Sequence, residues 1–113
     1  MKLKINKKSR KFKVGIKKTI LKDLGKVYLN NNEQLTFINK KSEFDFVKKN
    51  WGYYATPSIN KRLKNFNFRT FLTQNFLKNI FIMTVHKEKI KEFKKYLKED
   101  KIKIIKELTN GYR

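Results

Sequence analysis

Lysine interrupts this chain so often that no long apolar element can form. From Met1 to Ile20 the apolar residues are broken up at Lys2, Lys4, Lys7, Lys8, Lys11 and Lys13, which leaves nothing of the length of a signal-peptide core. The most nearly continuous apolar run, Ile80, Phe81, Ile82, Met83 and Val85, is far too short to span a bilayer. A cytoplasmic protein without a membrane span is the expectation. Its 113 residues, 39% hydrophobic and 14% aromatic, supply apolar mass for one compact core. The absence of cysteine excludes a disulfide framework, thiolate zinc sites and a cysteine nucleophile.

What the lysines permit is alternation. Phe12, Val14 and Ile16 alternate with Lys11, Lys13 and Lys17, as a half-buried strand should. A short strand follows at 26–29. Asn30, Asn31 and Asn32 tolerate the positive φ that a tight turn requires, and 34–38 is the return strand. Residues 43–49 read as a further strand. Thr56 before Pro57 reads as a helix start, and a short helix to about Asn65 would align Ile59, Leu63 and Phe66. Residues 68–73 and 80–85 read as a second hairpin, and the apolar run of 80–85 suggests a central strand buried on both faces. From Lys87 the period is helical, with Ile90, Phe93 and Leu97 on one stripe, and Ile102, Ile104 and Ile105 make a final strand. If the strands flanking that helix are parallel neighbours, their connection is a right-handed crossover.

Residues 1–11 are dense in positive charge and free of acid, so self-repulsion predicts a disordered tail. The alternation of Leu3 and Ile5 leaves open an edge strand there. The expected architecture is a single α+β domain over 12–113. It has a small, mainly antiparallel sheet of about five to seven strands, one short central helix and one longer C-terminal helix.

Thirty Lys and Arg against nine Asp and Glu give a formal charge of +21. In one explanation the cations neutralise a polyanion, releasing its counterions. In the other, a genome rich in A and T raises Lys, Asn, Ile and Phe together. Solubility alone needs a net charge of only about 2 to 8. Lysine dominance suits general attraction better than shaped recognition, for which the rigid fork of arginine is the better group.

Catalytic chemistry has few candidates. His86, the single histidine, could act as a general acid or base at a strand end, although a strand-end histidine bonded to its surroundings is the commoner case. Glu43 and Asp45 lie two apart and could share a strand face. Glu88, Glu92 and Glu99 sit among lysines and read as solvated charge pairs. One histidine and scattered carboxylates predict no metal site. The isolated glycines 15, 25, 52 and 111 form no phosphate loop, and no cofactor is expected.

The informative constellation is Lys48, Lys49, Trp51, Tyr53 and Tyr54, followed by Asn60, Lys61, Arg62, Lys64 and Arg69. Cations interleaved with aromatics suit RNA, because cations hold phosphates while rings stack bases. The bland alternative is that the rings pack their loop onto the core; it is favoured for Trp51 and left open for Tyr53 and Tyr54. The same residues could hold a sugar nucleotide or a polysaccharide precursor, rings covering sugar faces and polar groups meeting hydroxyls and phosphates.

The segment Trp51-Gly-Tyr-Tyr-Ala-Thr-Pro-Ser-Ile-Asn60, with Arg62-Leu63, Phe68-Arg-Thr70 and Ile82-Met83 downstream, resembles a group of small bacterial proteins. That group is associated with gene neighbourhoods for surface-polysaccharide and nonulosonic-acid sugars. The resemblance covers roughly Phe12 to Leu108 and implies an accessory role in polysaccharide biosynthesis, beside a pathway enzyme. The group's pattern has Gly where Lys61 and Asn67 stand here, which adds to the basic face. The leading expectation is a non-enzymatic accessory or binding protein that engages an anionic partner. RNA binding is the first alternative. A sugar-modifying enzyme or its regulatory subunit, using His86 or Glu43 and Asp45, is the second, and a structural partner whose lysines reflect genome bias is the third.

Overall fold

The computed structural model describes residues 1–112. It corrects the expected fold class. In place of one sheet with two helices, eight strands form three small antiparallel sheets, accompanied by a single α-helix of ten residues. Where a regular central helix is expected, the chain makes a wide π-helical turn, Ile59–Leu63, which continues helically through Lys64 and Asn65 and is capped by Ser58, whose Oγ accepts from the Arg62 amide at 3.0 Å. It cannot lengthen, because Asn67 turns left-handed at φ 64° and sends the chain into a strand. The second helix is only ten residues long, Ile90–Glu99, and the strand expected after it follows. Strand periodicity shows which residues alternate but not which strands pair, and this is why one sheet was expected where three form. No helix among the described residues is long and apolar enough to cross a membrane.

The chain divides into two compact units. The first comprises residues 1–37 and 44–56, the second residues 38–43 and 57–113.

In the first unit, β1 (Lys2–Val14) and β2 (Thr19–Tyr28) make a two-stranded antiparallel ribbon. The segment expected as a tail is therefore most of β1. Its charge does not keep it extended and free, because the ribbon sorts its side chains by face. Leu3 lies opposite Val27 and Phe12 opposite Leu21, whereas Lys4 lies opposite Lys26 and Lys11 opposite Lys22. Opposed residues share a face, so β2 presents Val27 and Leu21 on one side and Lys26 and Lys22 on the other. The register shifts between Ile5 and Arg10, where the Asn6 side-chain amide donates to the Asp23 carbonyl at 2.8 Å and Arg10 pairs with Asp23. The asparagine turn then leads into β3 (Gln34–Asn39), with Asn32 at φ 65°. Strands β4 (Ser42–Lys49) and β5 (Gly52–Ala55) complete the order β3-β4-β5.

The second unit holds β6 (Phe68–Gln74), β7 (Ile80–His86), α1 (Ile90–Glu99) and β8 (Lys103–Glu107), in the sheet order β7-β6-β8. The helix lays its expected stripe on the sheet: the Phe93 ring meets Phe71 at 5.2 Å and Leu97 is buried. Leu63, Phe68, Phe71 and Val85 complete this core, each apolar side chain contributing about 1.5 to 3 kcal/mol of transfer free energy when fully buried. Two expectations change. The central strand is β6, not β7, and Ile80, Phe81 and Ile82 of β7 are exposed on an edge. A continuous apolar run marks a strand without saying how much of it is covered. Strands β7 and β8 are parallel to one another, since each is antiparallel to β6, but β6 lies between them, so they are not neighbours.

Candidate functional site

The ten residues expected at the site divide evenly between the units. Lys48, Lys49, Trp51, Tyr53 and Tyr54 belong to the first, and Asn60, Lys61, Arg62, Lys64 and Arg69 to the second.

The β4–β5 hairpin builds the first group. Lys49 pairs with Gly52, which leaves Asn50 and Trp51 as the turn. Val47 pairs with Tyr54 and Lys48 with Tyr53, so the two tyrosines leave opposite faces of the hairpin. Trp51 does not pack its loop onto the core as expected. It is 68% exposed, with its ring stacked on Tyr54 at 5.9 Å and 15°. A turn residue has no sheet face to follow, and the ring of Tyr54 offers it an apolar surface. On the other face, Lys48 Nζ stands 5.7 Å above the Tyr53 ring. The lysines are fastened by neutral acceptors: Lys48 Nζ donates to Asn31 Oδ1 at 3.2 Å and to the Lys49 carbonyl at 2.6 Å, and Lys49 Nζ donates to Asn32 Oδ1 at 2.8 Å. Their charges are held in place without being cancelled. The nearby Glu33 carboxylate accepts from the Asn30 amide at 2.6 Å, and that bond is the first cause of its lowered pKa. Sequence reasoning missed Asn31 and Asn32 as anchors. Their place in a turn was legible, but their pairing with Lys48 and Lys49 depends on the fold.

The second group separates by function. Asn60, Lys61 and Lys64 line an open cleft with Asn110, whose Oδ1 accepts from Lys64 Nζ at 2.6 Å. The two arginines are engaged elsewhere. Arg62 pairs with Glu43 at 3.2 Å and lies over Phe66. Arg69 makes a two-pronged bond to Glu107, at 2.8 Å from Nε and 2.6 Å from Nη2, and its guanidinium stands 5.2 Å from the Phe71 ring. That pair links β6 to β8. The Arg69 hydrogen bonds, helped by the Thr109 hydroxyl, hold the Glu107 carboxyl at about 2, and the same pairing raises Arg69.

His86 closes β7. Its Nε2 lies 2.9 Å from the Asn39 amide nitrogen and its ring 4.5 Å from Phe68. It borders an open depression of about 200 Å³ that Lys40, Lys41, Asn67, Glu88 and Lys89 also line. An imidazole bonded to an amide, with Phe68 at its face, lacks the base-and-nucleophile arrangement that acid–base or covalent catalysis uses. Glu43 is paired with Arg62, and Asp45 is 1% exposed. Among the described residues no group of three His, Cys, Asp or Glu is placed to hold a metal ion. Comparison with protein-family models, curated proteins and solved structures finds no significant match.

Proposed function

We propose that this chain is a non-enzymatic binding module for an anionic partner, a single-stranded RNA held mainly by the first unit. The observation that carries the reading is the exposed Trp51–Tyr54 stack at a hairpin tip whose lysines bond only to neutral acceptors. An indole ring with an open face accepts a base of any identity, and such a stack contributes about 1 to 3 kcal/mol per base. The first unit carries thirteen Lys and Arg against Asp23, Glu33 and Asp45, a net of +10. Those cations supply the sequence-independent attraction to phosphates. Lysines fit this use, since stacking with diffuse charge needs no bidentate geometry.

The test is fluorescence anisotropy of a labelled oligouridine with nuclease-treated protein. Affinity falls steeply as salt rises, and Trp51→Ala weakens binding about tenfold with the fold unchanged by circular dichroism. Wild-type affinity in both Trp51→Ala and Tyr54→Ala refutes the reading. Binding of an uncharged glycan through the same rings, indifferent to salt, moves the role to the polysaccharide pathway that the sequence resemblance implies.

A further inference from the structure

The edge of β7 stands apart from the rest of the chain in charge. Only Lys78 is charged among the seventeen residues from Thr70 to His86, in a chain where 35% of residues are charged. Burial accounts for this in β6, where Thr70, Phe71 and Thr73 are covered. It does not account for Phe76, Leu77, Ile80, Phe81 and Ile82, all exposed. A codon bias toward lysine would reach these solvent-facing positions first, because charge is harmless there. Their apolar character therefore needs a reason that the isolated chain does not supply.

The backbone says what kind of partner fits. The Asn75 amide donates to the Asn79 carbonyl at 3.0 Å and the Lys87 amide to the Asn67 carbonyl at 2.8 Å. In an antiparallel pair the inward groups alternate, so residues 79, 81, 83, 85 and 87 turn their amides and carbonyls toward β6. Ile80, Ile82 and Thr84 turn theirs away, and no other strand of this sheet pairs with that side. Soluble proteins guard such an edge with lysine, proline or a bulge. Here β7 has none of them, in a chain with 30 Lys and Arg to spend.

We infer that β7 is a self-association edge, at which two copies pair β7 with β7 in antiparallel fashion across a two-fold axis and join their three-stranded sheets into one of six. A second copy fits for two reasons. An antiparallel ladder is its own complement about a two-fold axis, so Ile80, Ile82 and Thr84 of each copy meet the same residues of the other. And two chains of +21 repel each other least where neither carries charge, which this edge provides. The electrostatic sign follows. Salt screens the repulsion between copies, so self-association strengthens as salt rises, whereas RNA binding weakens.

The experiment is sedimentation equilibrium of the nuclease-treated full chain at low and high salt. The expected result is a monomer–dimer equilibrium that is tighter at high salt and weakened at least about tenfold by Ile82→Lys or, independently, by Ile80→Lys. Both side chains are more than half exposed, so neither change removes core packing, and circular dichroism verifies the fold of each variant. Phe12→Lys, an equally drastic change on the β1–β2 ribbon, leaves the equilibrium where it was. A monomer at every concentration and salt overturns the inference. So does a dimer that survives both β7 variants, or one that Phe12→Lys dissolves to the same degree.

Discussion

The β1–β2 ribbon carries eleven Lys and Arg with a single Asp between Lys2 and Tyr28, whereas the β6–β7 hairpin carries only Arg69 and Lys78 between Phe68 and His86. Both are antiparallel pairs of consecutive strands. They differ in what lies against them. Strand β6 has β8 on its other side and the Phe93 ring of α1 against Phe71, so its residues are sorted by a core. The ribbon is a sheet of two strands, and Leu3, Phe12, Leu21 and Val27 on its apolar side are all exposed. With so little to bury, it tolerates lysine or arginine at eleven of its positions. The charge of this protein is thus set locally by what each strand must cover. The charge-free outer edge of β7 is the place where that rule fails.

The largest test of this contrast matches two phenylalanines. Phe71 is 2% exposed and Phe12 is 44% exposed. Phe71→Ala is expected to destabilise the second unit by about 3 to 5 kcal/mol, through lost transfer energy and the cavity left behind. Phe12→Ala should cost less than about 1 kcal/mol, as exposed substitutions do. Urea unfolding of both variants measures the difference, and equal losses would mean that the ribbon has a core of its own. A smaller effect tests the ribbon backbone. Gly25 sits opposite Ile5 at φ 149°, and a Cβ added there would overlap the Lys4 carbonyl oxygen. Gly25→Ala should cost about 1 to 3 kcal/mol of local stability. Hydrogen exchange should then speed up across β1 and β2 and leave β6 protected. Unchanged exchange in the ribbon would show that this close approach is not needed.

These differences explain how much could be read in advance. The α1 stripe, the asparagine turn and most strand positions follow from local periodicity and turn chemistry, which act over a few residues. Partner choice does not. Residues 80–85 read as a central strand because apolar continuity looks the same on an edge, and residues 1–11 read as a tail because their match in β2 lies across a turn. At the site, residue types were legible and their grouping was not. Tyr53 and Tyr54 point apart because they are adjacent on a strand, a consequence already implicit in period-two geometry. Trp51 stacks outward because it falls in the turn between Lys49 and Gly52. Arg62 and Arg69, read as ligand-binding, are committed to Glu43 and Glu107, acidic residues far away in sequence that no local pattern connects to them.

The Arg69–Glu107 pair sharpens the contrast through pH, with the smallest expected effect. The Glu107 carboxyl lies at about 2 in the folded protein against 4.5 for the free group, held down first by Arg69. Because the folded value is depressed, the pair's contribution is fully present above about pH 4.5 and is lost as pH falls from there toward 2. The Glu107 side chain is 36% exposed, so solvent screening limits that contribution to about 1 kcal/mol. Glu107→Gln should therefore melt a few degrees below the wild type at neutral pH. The gap should close as pH approaches 2, where the wild-type carboxyl is itself protonated. A gap that stays constant across that range would mean that Glu107 supports the β6–β8 link through its shape and its neutral hydrogen bonds. The charge of this pair would then add little to the second unit, and the contrast with the lysine-rich ribbon would widen.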